Sequence, residues 1–364
     1  MLLMDSDRAM EPPVVVDDRR ASSATAQPHR VAWYPLAGPA LLERLRNTGR
    51  PRPRSDPEFA HMLRDRLEHG LAVDAPTGDD RCHPHAGQPT EVRRSPSPRP
   101  LSLVVTKDRL TRVLACETHR LSSEFGERTP TIAMACGAII DVLFRQLVCQ
   151  GSIGEPMADG LAALAVDEHQ QGLVSWIERM PRGDLQELRA EVERQSDGLR
   201  CRWPALEASW MPRTQESMRV GLAGGSVDLS ARVDLAIGRP AGDEASVALV
   251  EIKSGARRPD HRADLHFYAL IEAVRNPAPP FAVATYYTRT GELDVEPVTE
   301  ELLEGAVRRT IAGARALRSG AEGADPPRHP NAQCALCSSP PHGYPGPAQV
   351  DPRRVITTPG RRAG

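Results

Sequence analysis

The hydrophobic pattern of this chain changes period near residue 216. Upstream of that point, four segments are typical of helices: 107–115, 130–149, 158–179 and 183–197. Downstream, three segments are typical of strands joined by glycine-rich turns: 216–223, 226–237 and 246–252. The pattern then predicts a helix over 259–275, a strand over 281–288 and a capped helix over 299–318. The order α-β-β-β-α-β-α predicts an α/β fold with a central sheet flanked by helices.

The first part of the chain has a different composition. Residues 1–100 contain arginine- and proline-rich stretches at 50–54 and 93–100, which bury too little apolar surface to offset chain entropy. This region is therefore predicted to be largely disordered. Residues 56–71 are the exception, because an Asp-Pro start, helical apolar spacing and a glycine near the end predict a short helix.

The organised part is predicted to span residues 101–340, followed by a flexible tail over 341–364. Within it, residues 101–200 form a helical part, residues 201–320 form the sheet core, and a cysteine pair lies at 334–337.

Charge and targeting signals restrict the class of protein. The net charge of −2 neither indicates nor excludes a nucleic-acid partner. A local cluster of Arg257, Arg258 and Arg262 fits either phosphate contacts or a solvated helix start.

The N-terminus lacks a signal peptide and no run of 18 uninterrupted apolar residues occurs, so a cytoplasmic protein without a membrane partner is expected. The 7 cysteines, an odd number, favour reduced thiols or metal ligands over a disulfide framework.

Lysine is almost absent from the chain. Lys+Arg is 46, yet Lys107 and Lys253 are the only lysines. Lys253 lies two residues after Glu251 at the end of an apolar run, and Asp234 lies in the preceding strand-like segment. Residues two apart on a strand share a face, and pairing of the two strands as a hairpin would bring Asp234 beside Glu251.

This D…ExK pattern suits phosphodiester chemistry. Two carboxylates held close together share a proton or bind a cation, and Mg²⁺ or Mn²⁺ prefers such oxygen ligands. The lysine ammonium would orient or deprotonate water and offset charge in the transition state. An isolated ExK at a strand end is usually a solvated edge, so the strands around it decide between the two interpretations.

The pattern resembles the PD-(D/E)xK nuclease superfamily, specifically its RecB-like branch, which includes CRISPR-adaptation and AddB-type nuclease domains. The resemblance covers residues 101–340 and implies a restriction-endonuclease-like core of order αβββαβ. RVDLAIG matches the metal-binding strand, with Asp234 as a ligand. VEIKSG matches the next motif, with Glu251 as the second ligand and Lys253 as the catalytic lysine.

Two flanking motifs match in part. Tyr268 matches the tyrosine of the QxxxY helix, where the resemblance implies substrate contacts, but Asp264 replaces the glutamine. In GAIID (137–141), Asp141 replaces the histidine of the GxxxH motif. Asp141 is therefore a candidate third metal ligand, and the alternative is a structural ion pair with Arg145.

The resemblance also implies a possible [4Fe–4S] cluster or zinc site. Cys116, Cys334 and Cys337 match three of the four cluster cysteines, whereas the fourth is missing and His342 is a neighbour of its position. Buried or remnant thiols are the alternative.

The resulting expectation is a Mg²⁺- or Mn²⁺-dependent DNA nuclease acting on ends or single strands. A P-loop is absent, so a separate helicase or another repair or defence protein would supply any unwinding. The alternative is a catalytically silent nuclease-fold module that binds DNA or a protein partner.

Overall fold

The computed structural model describes residues 54–72, 102–115 and 130–321. All of them lie in the second of two units into which the chain divides, Pro35–Gly364. The arginine-rich stretch 93–100 and the tail 341–364 lie outside the described residues.

The described elements follow the predicted order, with additions. They are α1 (Pro57–Leu71), β1 (Leu103–Val105), α2 (Lys107–Ala115), α3 (Ile132–Gln150), α4 (Pro156–Ala165), α5 (Gln171–Glu178), α6 (Arg182–Arg202), β2 (Arg213–Leu222), β3 (Val227–Ile237), β4 (Ala248–Lys253), α7 (Pro259–Arg275), β5 (Ala282–Tyr287), β6 (Glu292–Pro297) and α8 (Glu300–Ala321). The series α3-β2-β3-β4-α7-β5 has the predicted αβββαβ order.

Within the described residues, six strands form one mixed sheet. β2 pairs antiparallel with β3 through all of its residues except Gln215. β4 pairs antiparallel with β3 and parallel with β5, and β5 pairs antiparallel with β6. β1 pairs parallel with the start of β3. The α/β architecture with a central mixed sheet flanked by helices is thus confirmed.

Three details of the predicted elements were wrong. β1 and β6 were missed, because β1 has only three residues and β6 is a half-buried edge strand rich in acidic residues. The predicted helix 158–179 is divided into α4 and α5. The break lies at Asp167, whose side chain accepts the His169 N–H at 3.0 Å and starts a short 3₁₀ turn.

Two apolar layers cover the sheet. α3 and α6 pack on one face, against residues such as Val250 and Ala284. α7 and α8 pack on the other face, against neighbours such as Leu249 and Val283. Because successive strand residues point to opposite faces, β4 and β5 contribute to both layers and are buried on both sides.

Helix α3 is the most apolar element. By length and composition it is the one helix among the described residues that could cross a membrane, with a mean hydropathy of 1.8. In this fold, its Ile139, Leu143 and Phe144 are buried in the layer shared with α6. Thr131 caps its start by accepting the Met134 N–H at 3.2 Å, and Gly151 ends it with a φ of 77°.

Helix α1 is part of the apolar layer formed with α7 and α8, although it precedes the predicted domain. Its Leu63, Leu67 and Leu71 are 0% exposed. Gly70 lies so close to Ile311 of α8 that a Cβ there would be 2.3 Å from the Ile311 Cδ1. The predicted short helix therefore packs against the last described helix of the chain.

Candidate functional site

The site lies where two strands run toward each other along one edge of β3. β1 runs parallel to β3 from Val227 to Leu229, whereas β4 runs antiparallel to it from Ile237 to Leu235. Since β2 covers the other edge, β1 and β4 share this edge and their carboxyl ends face each other. Residues that follow β1 therefore meet residues at the end of β4.

Glu251 is the point where they meet. Its side chain is 3% exposed and accepts hydrogen bonds from two lysines at the same oxygen, Oε1. One is Lys253, at 2.7 Å, from the same face of β4. The other is Lys107, the first residue of α2. Both lysines of the chain thus donate to the same carboxylate oxygen.

The two ammonium groups keep Glu251 ionised. Burial favours the neutral acid, but Lys107 and Lys253 outweigh burial and hold the pKa of Glu251 below its ordinary value. Burial likewise disfavours the Lys107 ammonium, and Glu251 outweighs it and raises the pKa of Lys107. The second oxygen of Glu251, Oε2, is buried and has no hydrogen-bond partner within the described chain.

Asp234 lies beside this group, as the hairpin pairing predicted. Its Oδ2 accepts the main-chain N–H of Ile252 at 2.8 Å, which ties β3 to the end of β4. Burial raises the pKa of Asp234 well above its ordinary value, and repulsion from Glu251 and Asp141 adds to the increase.

Asp141 reaches the site from α3. It forms an ion pair with Arg145 at 3.2 Å, which is the structural alternative predicted for it. Burial raises the pKa of Asp141, against the opposing effect of Arg145. Its Oδ1 also accepts the side-chain amide of Gln215 at 3.0 Å, and the same amide lies 3.4 Å from the Asp234 Oδ1. The Gln215 amide therefore bridges Asp141 and Asp234.

Gln215 has an unusual backbone conformation. Its φ is 54°, in the left-handed region that β-strand residues other than glycine avoid. Gln215 has no partner in the β2–β3 ladder, which pairs its neighbours Thr214 and Glu216 with Leu235 and Val233. The side-chain alternation of β3 changes phase at this point, because Val233 packs in one layer and Leu235 in the other. The sheet is thus distorted at the residue that joins the two aspartates.

A cavity of about 270 Å³ opens beside Asp141 and Lys253. Its other polar lining residues include Ser254, Arg258 and His261. Burial, together with the positive charges of Lys253 and Arg258, lowers the pKa of His261 to about 4. His261 is therefore neutral near pH 7, with its Nδ1 3.2 Å from the Tyr287 hydroxyl.

A second cavity, of about 500 Å³, shares Arg258 with the first and is also lined by Arg257 and Arg262. Each arginine of this cluster forms an ion pair: Arg257 with Asp294, Arg258 with Asp260 and Arg262 with Glu296. Phosphate would have to compete with these carboxylates for the arginines. Phosphate contacts and a solvated helix start therefore both stay open as interpretations of the cluster.

Buried polar contacts hold the end of β4. Gln195 of α6 is 1% exposed and donates to the Ser254 carbonyl at 3.2 Å. Thr288 donates its N–H to the Lys253 carbonyl at 3.0 Å and its hydroxyl to Gln195. Gly137 lets α3 approach this turn, because a Cβ there would lie 3.1 Å from the Ser254 Oγ.

Tyr268 and Asp264, the two residues predicted to contact the substrate, lie next to Lys107 and helix α2. Tyr268 is 1% exposed, and the Lys107 Nζ lies 5.1 Å from its ring centroid. Asp264 is half-buried and accepts the Thr111 hydroxyl of α2 at 3.3 Å. In this structure both support Lys107 and helix α2, and a direct substrate contact stays a prediction for each.

The predicted cluster ligands cannot be placed. Cys116, Cys334, Cys337 and His342 all lie outside the described residues. An iron–sulfur or zinc site thus stays a prediction.

The carboxylates fit a hard cation in part. Across residues 54–72, 102–115 and 130–321, no three or more His, Cys, Asp or Glu side chains are grouped so as to hold a metal ion by themselves. Mg²⁺, however, commonly takes one or two carboxylates and completes its shell with water and substrate phosphate. The buried, unpartnered Oε2 of Glu251 and the mutual repulsion between Asp234 and Glu251 fit such a cation.

Sequence reasoning missed Lys107 and Gln215 as site residues. Lys107 is 144 positions from Glu251 and joins it through a three-residue strand, so no local spacing connects them. The scarcity of lysine was the available signal. The positive φ of Gln215 has no signature in the sequence, because glutamine rarely adopts it.

Comparisons with known proteins give limited similarity. No protein-family model matches the chain. No curated protein matches it either. Among solved structures, a crystal structure of a "Putative exonuclease" from Eubacterium rectale is similar, with a TM-score of 0.38 and 14% sequence identity over 65% of this chain and 86% of that chain. The chemistry of the site accordingly follows from its own side chains.

Proposed function

We propose that this protein is a metal-dependent nuclease of the RecB-like PD-(D/E)xK type, which hydrolyses phosphodiester bonds in DNA at ends or in single strands. The observation that carries the proposal is the convergence of Asp234, Glu251 and Lys253, of which Lys253 lines the smaller cavity. The ionised Glu251 and its Oε2 give the site an acceptor that no group of the described residues uses.

Asp234 and Glu251 would hold Mg²⁺ or Mn²⁺, with Asp141 as a third candidate ligand. A cation bound there would polarise the phosphodiester and activate water. Lys253 lines the cavity and keeps its ammonium against Glu251, so it can stabilise negative charge that develops on phosphate oxygens. The main-chain N–H of Ile252 orients Asp234, and Gln195 fixes the turn that carries Ser254.

The substrate would approach over Arg258, which lines both cavities. Phosphate groups would then exchange with the carboxylates that pair with Arg257 and Arg262. Any duplex unwinding would come from a separate helicase or another repair or defence protein.

Cleavage of labelled linear single- and double-stranded DNA with Mg²⁺ or Mn²⁺ tests the proposal. The Lys253→Ala variant should fold normally and lose cleavage. Arg219→Ala is a matched control, since it also removes a cation and an ion pair, at 2.7 Å to Asp228, from the same sheet. Undiminished metal-dependent cleavage by Lys253→Ala would refute the assignment.

One observation favours a second candidate, a silent nuclease-fold module that binds DNA or a protein partner. Both lysines occupy Glu251, and the described residues lack a complete three-ligand metal group. Such a module would bind DNA without cutting it and would show no carboxylate-dependent Mn²⁺ binding in calorimetry. The two candidates therefore separate in one pair of measurements.

A further inference from the structure

We infer that Lys107 is an internal counter-ion of the carboxylate site, which binds Glu251 when no divalent cation is present and releases it when one binds. This inference rests on the proposed metal-dependent function. It assigns a regulatory role in cation binding to a residue that no motif of the site includes.

The first argument is the geometry at Glu251. Lys253 and Lys107 both donate to Oε1. The neighbouring Oε2 is buried and has no partner among the described residues. Because a carboxylate oxygen has two lone pairs, Oε1 can accept from both ammonium groups. The arrangement concentrates positive charge on one side of the carboxylate.

The second argument is the charge of the group. Four acidic side chains share this part of the interior with the two lysines: Asp141, Asp234, Glu251 and Asp264. Arg145 forms an ion pair with Asp141. Carboxylates that are close together and out of water repel one another strongly. Lys107 places a positive charge at Glu251 within this group.

The third argument is that Lys107, at the start of a helix, lies beside an aromatic ring, whereas the main chain of Lys253 is part of the sheet. The main chain of Lys253 is fixed in β4, where it pairs with Tyr287 of β5, and its carbonyl accepts the Thr288 N–H at 3.0 Å. Lys107 is the first residue of the nine-residue helix α2. Its ammonium also lies 5.1 Å from the centroid of the Tyr268 ring. An aromatic face attracts a cation, so Lys107 has a second position available when Glu251 is taken.

A divalent cation at Glu251 would be repelled by both ammonium groups. Moving Lys107 from Oε1 toward Tyr268 lowers this repulsion and leaves Lys253 in place for the chemistry. Lys107 therefore lowers the affinity for the cation while it keeps the metal-free carboxylates together.

Isothermal titration of MnCl₂ into the metal-free full-length protein tests the inference at one pH and ionic strength. Lys107→Gln removes the charge and keeps a hydrogen-bond donor, so that Glu251 stays satisfied and the fold is retained. We expect Lys107→Gln to bind Mn²⁺ about tenfold more tightly than wild type, because one repulsive charge is gone. Lys107→Arg, which keeps the charge, and Arg219→Gln, which removes a remote charge, should stay close to wild type.

Thermal unfolding gives a second readout that a merely structural residue would not produce. Lys107→Gln should melt below wild type in EDTA, and saturating Mn²⁺ should remove most of that difference. Equal or weaker Mn²⁺ binding by Lys107→Gln, with wild type binding Mn²⁺, would overturn the inference alone. Absence of Mn²⁺ binding in all four proteins would overturn the proposed metal-dependent function together with it.

Discussion

The Asp234 carboxylate on β3 accepts the main-chain N–H of Ile252 on β4 at 2.8 Å. This hydrogen bond lies just beyond the last ladder pair that joins the two strands, Leu235 with Val250. It therefore extends the hairpin by a side chain and places Asp234 beside Glu251, at the cost of burying a second acid.

That burial predicts a pH effect. The pKa of Asp234 is raised well above 3.8 in the folded protein, so the folded state binds this proton more tightly than the unfolded chain. The resulting stability is complete below 3.8 and is lost as the pH rises through the folded pKa. Asp234→Asn cannot ionise and lacks this loss.

We therefore expect the free energy of unfolding of Asp234→Asn, relative to metal-free wild type, to increase as the pH is raised above 3.8. Urea unfolding in EDTA at a series of pH values measures the difference. A difference that does not vary with pH would show that folding does not raise the pKa of Asp234.

Gln215 predicts an effect of backbone conformation. At a φ of 54°, a residue with a Cβ is strained, whereas glycine is not. Gln215→Ala and Gln215→Gly both lose the amide that bridges the two aspartates. We expect Gln215→Gly to be the more stable variant by about 1 kcal/mol in urea unfolding, because only the alanine variant keeps the strain. Equal stability would argue against the left-handed conformation.

The buried contacts of Gln195 hold the turn after β4, and their removal should lower the free energy of unfolding. Gln195→Leu leaves the Ser254 carbonyl and the Thr288 hydroxyl without their buried partner. A loss of about 1 to 3 kcal/mol in the free energy of unfolding is expected. Gln186→Leu is the matched control, because Gln186 lies on the same helix and is exposed. If both variants lose the same small amount, the buried contacts do not hold the turn.

Helix α1 lies outside the predicted organised part of the sequence, but its packing predicts a contribution to stability. Leu67 is 0% exposed, and Leu67→Ala should destabilise the protein by about 2 to 5 kcal/mol through the cavity it leaves. Its neighbour Arg66 forms an exposed ion pair with Glu304 at 2.7 Å. Arg66→Ala should cost at most about 1 kcal/mol. Chemical denaturation of the two variants compares them, and a silent Leu67→Ala would show that α1 does not belong to the cooperative unit.

The part of the site that depends on neighbouring strands could be predicted from the sequence. Glu251 and Lys253 share a face because strand side chains alternate, and Asp234 meets them because consecutive strands pair. These relationships need no long-range information.

The remainder of the site depends on distant segments. Lys107 reaches Glu251 only because β1 and β4 share one edge of β3, and β1 is too short to leave a periodic signal. The packing of α1 against α8 joins the two ends of the described chain, which local patterns cannot connect. Both depend on tertiary packing, which single-sequence patterns do not encode.

The scarcity of lysine has a practical consequence. Apart from the amino terminus, Lys107 and Lys253 are the only primary amines in the chain, and both are bound to Glu251. Biosynthetic incorporation of isotope-labelled lysine would therefore place two side-chain NMR probes at a single carboxylate. Their chemical shifts would report cation or substrate binding directly, without a surface background from other lysines.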